Sequence, residues 1–248
     1  TYHLMKPKVL IFIITYKASF RVLNLIKKIP LNYLNKNTNY NILISDDNSE
    51  DDTIDFIYQV KKNLKSKIIL NLNKKNLGYG GNIKKCIKYA YTNNYDFAVM
   101  IHGDDQYYPK YVSKMLDLLF SKKNISAVSG SRMMTKIDAI KGKMPIYKFI
   151  GNVFLTKLFN LIYRQNFTDC HTGYWAYNLK KINKNIFYRL DNKFCFDIDL
   201  RINLVSKKLK ILEIPIKTYY GSERSSMHIV YALRFLLKII SNKIFKLN

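Results

Sequence analysis

The sequence has few cysteines, prolines and glycines, and it lacks any long uncharged apolar run. Its 3 cysteines among 248 residues lie far apart and fit no zinc-ligand spacing, so we expect neither a disulfide framework nor a structural zinc site. Its 5 prolines and 9 glycines form no linker-like stretch, which favours one domain. No apolar run reaches the roughly 18 residues of a spanning helix, and no signal peptide is recognisable. These absences predict a cytoplasmic protein.

Acidic residues are also scarce. Lys and Arg number 42 against 17 Asp and Glu, which gives a net charge of +25. A positive field of this size attracts phosphate groups, whether they belong to nucleotides, nucleic acids or anionic lipids. A solvated lysine surface accounts for the charge equally well. Composition alone therefore leaves the partner open.

Apolar runs and segments of helical period alternate along the first half of the chain. Residues 9–14 are apolar at every position, as in a strand buried on both faces, and residues 21–29 have helical spacing. Strands alternating with helices at short intervals predict a single α/β domain, with a mostly parallel central sheet flanked by helices. Further strands are predicted at 40–45, 67–71, 97–101, 125–129 and, at a sheet edge, 211–217.

Polar residues follow three of the predicted strands directly. Because ligands bind beyond the carboxyl ends of the strands in such sheets, we expect these side chains to converge on one site. Aspartates there can accept hydrogen bonds from a base or a ribose, although Ser49 suggests helix capping as a local alternative. A glycine-bearing turn before the third helix offers backbone N–H groups to phosphate, with a plain turn as its alternative. The residues concerned are Thr15, Tyr16, Asp46, Asp47, Asn76, Gly78 and 102–106.

The segment after the fourth strand offers candidate metal ligands. The carboxylates of Asp104 and Asp105, which follow Gly103 and precede Gln106, are hard oxygen ligands with no bulky neighbour before them. Mg²⁺ or Mn²⁺ held there would neutralise charge on a diphosphate leaving group. An ordinary acidic turn is the alternative.

Two aspartates and two arginines in the second half complete the candidate chemistry. Asp197 and Asp199 lie in an acidic segment, and one of them can face the site and deprotonate an acceptor hydroxyl. A phosphate acceptor needs no base. Arg132 and Arg224 are candidate phosphate clamps, because the guanidinium fork matches phosphate oxygens.

With these residues in place, positions 8–227 resemble the family 2 inverting glycosyltransferases of the GT-A fold. The motifs resemble in particular the branch of dolichyl-phosphate mannose synthase and its bacterial polyprenyl-phosphate relatives. The resemblance implies a UDP- or GDP-sugar donor, a divalent metal, and a polyprenyl phosphate or glycan acceptor. One departure is His102, which stands where that branch has the leading aspartate of its metal segment. Its imidazole can still ligate Mn²⁺, and Asp105 could compensate for the missing carboxylate. The resemblance assigns nucleotide binding to Thr15, Tyr16, Asp46, Asp47, Asn76, Gly78 and Asp104, metal binding to Asp104 and Gln106, and phosphate or acceptor binding to Arg132, Thr172 and Gly173.

The apolar residues of 228–248 stand at helical spacing with basic residues between them. This pattern predicts a basic amphipathic helix that follows a catalytic domain at 1–227. Its spacing suits a helix lying on anionic lipid, at the inner face of the cell membrane, and packing on the protein's own core is the alternative.

Two rival functions remain. The charge and 20 tyrosines suit a nucleic-acid binder, but no known binding motif is present and we expect no nucleic-acid partner. A nucleotidyltransferase would usually have a glycine-rich loop after its first strand, which this chain lacks.

Overall fold

A seven-stranded sheet organises the chain, of which the computed structural model describes residues 6–63, 67–220 and 229–244. The strands are β1 (Lys8–Thr15), β2 (Asn39–Asp46), β3 (Ile68–Leu72), β4 (Phe97–His102), β5 (Ile125–Ser131), β6 (Trp175–Asn178) and β7 (Lys210–Pro215). The strand order is β3-β2-β1-β4-β6-β5-β7. Pairing is parallel from β3 through β4 and between β5 and β7, whereas β6 runs antiparallel to both of its neighbours. The predicted mostly parallel α/β sheet is confirmed.

Helices cover both faces of the sheet. They are α1 (Arg21–Lys27), α2 (Leu31–Asn37), α3 (Thr53–Asn63), α4 (Tyr79–Thr92), α5 (Tyr111–Ser121), α6 (Lys136–Lys141), α7 (Ile146–Tyr163), α8 (Lys184–Tyr188), α9 (Phe196–Ser206) and α10 (Ile229–Ile244). Alternate residues of β1 pack into two separate clusters. Val9, Ile11 and Ile13 pack against α1, α3 and α5, and Leu10 and Phe12 pack against α4, α8 and α9. The uniformly apolar sequence of β1 follows from burial on both sides.

The helical tail packs on the protein through one face. Phe235 and Ile239 of α10 are buried in a cluster with Leu155 and Phe159 of α7 and residues of α9. The core-packing alternative therefore holds for this face, while Leu233, Leu237 and Ile240 on other sides are exposed. None of the described helices is both long enough and apolar enough to cross a bilayer.

Ser49 does not cap a helix. Helix α3 begins at Thr53, four residues later. The Ser49 hydroxyl instead donates to Asp46 Oδ1 at 2.6 Å and accepts from the backbone N–H of Lys17 at 2.9 Å. These bonds join the loops that follow β1 and β2.

Candidate active site

A cavity of about 810 Å³ lies beyond the carboxyl ends of β1 and β4, between the start of α4 and the helices α7 and α9. It brings together most of the residues that the sequence predicted. Asp46, Thr172 and Asp199 do not line it, and Arg224 lies outside the described residues. The predicted residues in its wall are Thr15, Tyr16, Asp47, Asn76, Gly78, His102, Asp104, Gln106, Arg132, Gly173 and Asp197.

The two aspartates after β2 have different positions. Asp47 lines the cavity, and its carboxylate accepts from the backbone N–H groups of Leu77 at 2.8 Å and Gly78 at 2.9 Å. Asp46 is fully buried, and it accepts from the hydroxyls of Thr15 at 2.9 Å and Ser49 at 2.6 Å. Asp46 therefore joins the loops behind the cavity wall and does not line the cavity, and its assignment as a nucleotide contact stays a prediction.

Glycines at the start of α4 hold a neighbouring segment in place. Gly78 has φ of 78°, and a Cβ there would come 2.7 Å from the carbonyl oxygen of Asn192. The backbone N–H of Gly81 donates to the same oxygen at 3.0 Å. This close approach seats residues 191–194, of which Lys193 and Phe194 line the cavity. Gly78 therefore lies at the edge of the cavity, and the turn that it forms packs against residues 191–194.

The candidate metal ligands lie side by side in the cavity wall. His102, Asp104 and Gln106 all line it, and Asp104 Oδ1 accepts from the backbone N–H of Gln106 at 3.0 Å. Burial lowers the pKa of His102, so its imidazole is neutral and can ligate a metal. Gly173 gives this ring its space, since a Cβ there would come 2.5 Å from Nε2. Asp105 does not line the cavity, and its carboxylate forms an ion pair with Lys28.

This ligand set fits Mn²⁺ or Mg²⁺ only with help from a substrate. A carboxylate, an amide oxygen and a neutral imidazole are ligands that Mn²⁺ accepts. The described residues contain no group of three His, Cys, Asp or Glu side chains close enough to hold a metal alone. Diphosphate oxygens and water would complete the coordination, as is usual for such ions.

Asp197 is the buried acid of the site. Its Oδ2 accepts from the Tyr79 hydroxyl at 2.7 Å, and its Oδ1 has no hydrogen-bond partner among the described residues. Burial raises the pKa of Asp197 to about 7, against an opposing effect of the Tyr79 hydrogen bond. A carboxyl with this pKa can take up a proton near neutral pH. Asp199 does not line the cavity and accepts from Lys238 Nζ at 2.8 Å, so Asp197 is the one of the two aspartates that faces the cavity.

Arg132 is held by a buried partner. Its Nε donates to Asp169 Oδ2 at 2.7 Å, its Nη2 donates to Asp169 Oδ1 at 2.9 Å, and its Nη1 donates to the Tyr220 hydroxyl at 3.0 Å. Although burial opposes ionisation, the guanidinium holds the pKa of Asp169 at about 2. A phosphate would therefore share Arg132 with this carboxylate. Thr172 is buried behind the wall, where its hydroxyl accepts from the backbone N–H of Tyr174 at 3.3 Å, and its assignment to an acceptor stays a prediction.

The match to known families decides the class of this protein. Residues 10–186 match the model of the family described as "Glycosyl transferase family 2". The chain belongs to this family. It is 30% identical over 219 residues to the uncharacterized protein MJ1222 of Methanocaldococcus jannaschii, covering 87% of this chain and 86% of the relative. It is 28% identical over 188 residues to MJ0544 of the same organism, covering 74% and 79%.

Solved structures confirm the GT-A glycosyltransferase fold. The chain is similar to glucosyl-3-phosphoglycerate synthase from Mycobacterium tuberculosis in complex with UDP, with a TM-score of 0.67 and 12% identity over 96% of this chain and 80% of that one. The same enzyme with Mn²⁺, UDP and glucosyl-3-phosphoglycerate gives a TM-score of 0.63 and 12% identity over 95% and 80%. The family match makes this chain a glycosyltransferase, which is the first of the functions that the sequence predicted. The mannose synthase branch is a finer assignment and stays a prediction.

Several residues of this glycosyltransferase site carried no sequence signal. Tyr79 lies between Asp197 and His102, and its hydroxyl is 3.1 Å from His102 Nε2. His171 lines the cavity with neither ring nitrogen hydrogen-bonded among the described residues, and burial lowers its pKa to about 4. Lys143 and Lys148 enter from the start of α7. Their roles depend on how α4, α7 and α9 pack, which no local motif encodes.

Proposed function

We propose that this glycosyltransferase transfers a sugar, with inversion, from a nucleoside diphosphate sugar to an acceptor hydroxyl that Asp197 deprotonates. The observation that carries the proposal is the carboxylate of Asp197, buried in the cavity wall with a pKa of about 7. The acceptor oxygen attacks the anomeric carbon as Asp197 takes its proton. The bond to the phosphate oxygen breaks on the opposite side, and the nucleoside diphosphate leaves.

The donor would lie at the ends of β1, β2 and β4. Thr15, Tyr16 and Asp47 would hold the nucleoside, and half-exposed Tyr16 offers a ring for stacking. Asp104 and Gln106, beside His102, would hold the divalent metal that neutralises charge on the leaving diphosphate. UDP is the first nucleotide to test, because the similar synthase structures contain UDP and Mn²⁺. GDP is the second.

A polyprenyl phosphate is the second candidate acceptor. Lys143, Lys148 and Arg132 place positive charge in the cavity wall, and a phosphate oxygen needs no base. Such an acceptor would place the protein at the inner face of the cell membrane, in envelope glycan synthesis. Helix α10 of the predicted tail at 228–248 packs partly on α7, and it would remain available to a lipid surface through Leu233, Leu237 and Ile240.

Sugar transfer by Asp197→Asn and Asp199→Asn separates these acceptors. We would supply UDP- and GDP-hexoses with Mn²⁺, and either an alkyl glucoside or a short polyprenyl phosphate. For a hydroxyl acceptor, kcat/KM should fall as pH drops below about 7, because Asp197 becomes protonated. Asp197→Asn should lose about 100-fold or more of kcat, while Asp199→Asn stays within a few fold.

Two results would change this conclusion. Transfer to the polyprenyl phosphate that survives Asp197→Asn would replace the first candidate with the second. Retained anomeric configuration in the product would contradict the single displacement for either acceptor.

A further inference from the structure

The outward side of α7 is apolar. Tyr147, Ile150, Phe154 and Leu161 are 67%, 61%, 60% and 78% exposed. Their spacing of three, four and seven residues puts them on one face of the helix. The opposite face, with Leu155 and Phe159, is already buried against α9 and α10. A surface helix normally turns polar residues outward, so this face has the composition of a contact surface.

Helix α6 extends the same kind of surface. Ile137 and Ile140, three positions apart, are 65% and 63% exposed. A small cluster with Ala139 of α6 and Met144, against which Phe149 of α7 packs, joins the two helices. The α6–α7 apolar surface is defined as Ile137, Ile140, Ile146, Tyr147, Ile150, Phe154 and Leu161.

The charges around this surface favour anionic lipid as its occupant. Residues 136–163 contain five lysines and a single acidic residue, Asp138, whose carboxylate lies 3.7 Å from Lys217 Nζ. Apolar side chains that enter a headgroup layer, with lysines reaching its phosphates, are the pattern of interfacial helices. A second copy of this chain is disfavoured, because pairing would bring two lysine fringes of chains with net charge +25 together.

We propose that the α6–α7 apolar surface docks on a bilayer containing anionic phospholipid. Tyr147 belongs both to this surface and to the cavity wall, and Lys143 and Lys148 of the same segment also line the cavity. Docking therefore brings the cavity mouth to the headgroup layer, where a lipid-borne acceptor would present its reacting group. This last step rests on the proposed function, whereas the docking itself does not.

Vesicle sedimentation without any substrate tests the docking. The probes are vesicles of phosphatidylcholine alone and vesicles that also contain phosphatidylglycerol. Wild type should bind the anionic vesicles, and Ile150→Ser/Phe154→Ser should bind about tenfold or more weakly, because two large apolar side chains are lost. Tyr58→Ser removes an exposed aromatic of α3 and should bind like wild type. Circular dichroism and UDP binding would show that each variant is folded.

Three outcomes would overturn the docking. The first is that wild type sediments with neither vesicle, and the second is that the double variant binds anionic vesicles as well as wild type does. Alternatively, the double substitution converts a dimer into a monomer and leaves vesicle binding unchanged, which makes the surface a protein interface. Nucleotide binding and sugar transfer are measured separately, so these results leave the proposed activity standing.

Discussion

Asp197 and Asp199 lie on the same turn of α9 and still meet different surroundings. Residues two apart on an α-helix point about 200° apart. Asp197 therefore lines the cavity, while Asp199 accepts from Lys238 of α10 at 2.8 Å. Asp199 ties α9 to α10, whereas Oδ1 of Asp197 has no hydrogen-bond partner among the described residues. The two aspartates after β4 also differ, since Asp104 lines the cavity and Asp105 pairs with Lys28.

Asp104→Asn should weaken the metal-dependent binding of nucleotide. Asp104 lines the cavity beside His102 and Gln106, and an amide removes the negative charge that a divalent ion needs. We expect calorimetric titration with UDP and Mn²⁺ to show an affinity at least about tenfold lower, equal to about 1.4 kcal/mol. Without Mn²⁺ the variant and wild type should differ little.

Asp105→Asn is the matched control for this titration. Asp105 is the next residue, it pairs with Lys28, and asparagine tolerates its left-handed backbone. Nucleotide affinity should therefore change less than about threefold, or about 0.7 kcal/mol. Equal losses in both variants would show that general charge, and not a ligand at Asp104, governs binding.

At the scale of elements, the strands and helices that the sequence predicted are those whose own residues have an apolar pattern typical of burial. Residues 9–14 are apolar throughout, and β1 extends only one residue beyond them at each end. The strand β6 was missed, because four residues gain their partners only from β4 and β5, both distant in sequence. The site followed the same rule. Strand-end segments were predictable, but the place of Tyr79 depends on how α4 packs against residues 191–194.

Gly80→Ala should destabilise the protein by disturbing that packing. A Cβ at Gly80 would overlap the carbonyl oxygen of Asp191 and come 3.1 Å from Phe196 Cβ. Overpacking of this kind costs about 1–3 kcal/mol. Urea unfolding should show the loss, and sugar transfer should also fall, because the displaced segment leads directly to Asp197.

Gly151→Ala is the same substitution in open surroundings. Apart from the backbone of α7 itself, no atom of the described residues lies within 4 Å of a Cβ built at Gly151, in the middle of this helix. Alanine should raise the free energy of unfolding by up to about 1 kcal/mol, since it favours the helix. A loss of stability in this variant like that of Gly80→Ala would mean that close packing at residues 191–192 is not the cause.

For the whole molecule, the positive charge serves ligands and opposes compactness. Lys143, Lys148 and Lys193 line the cavity, where a diphosphate or an acceptor phosphate would meet them, and others fringe the α6–α7 apolar surface. A net charge of +25 also repels itself in the folded state. Function and stability therefore place opposite demands on the same lysines, and salt should reveal the balance.

Added salt should stabilise the protein in the absence of ligands. Raising ionic strength from about 0.01 M to about 0.15 M shortens the Debye length from about 30 Å to about 8 Å, which screens the repulsion. We expect Tm to rise by about 2–4 °C, equal to about 1 kcal/mol for a chain of this size. Sodium chloride and sodium acetate should act alike, whereas an anion bound in the cavity would make the rise depend on the anion. A Tm that stays constant or falls would mean that ion pairs such as Arg132 with Asp169 and Lys238 with Asp199 outweigh the net repulsion.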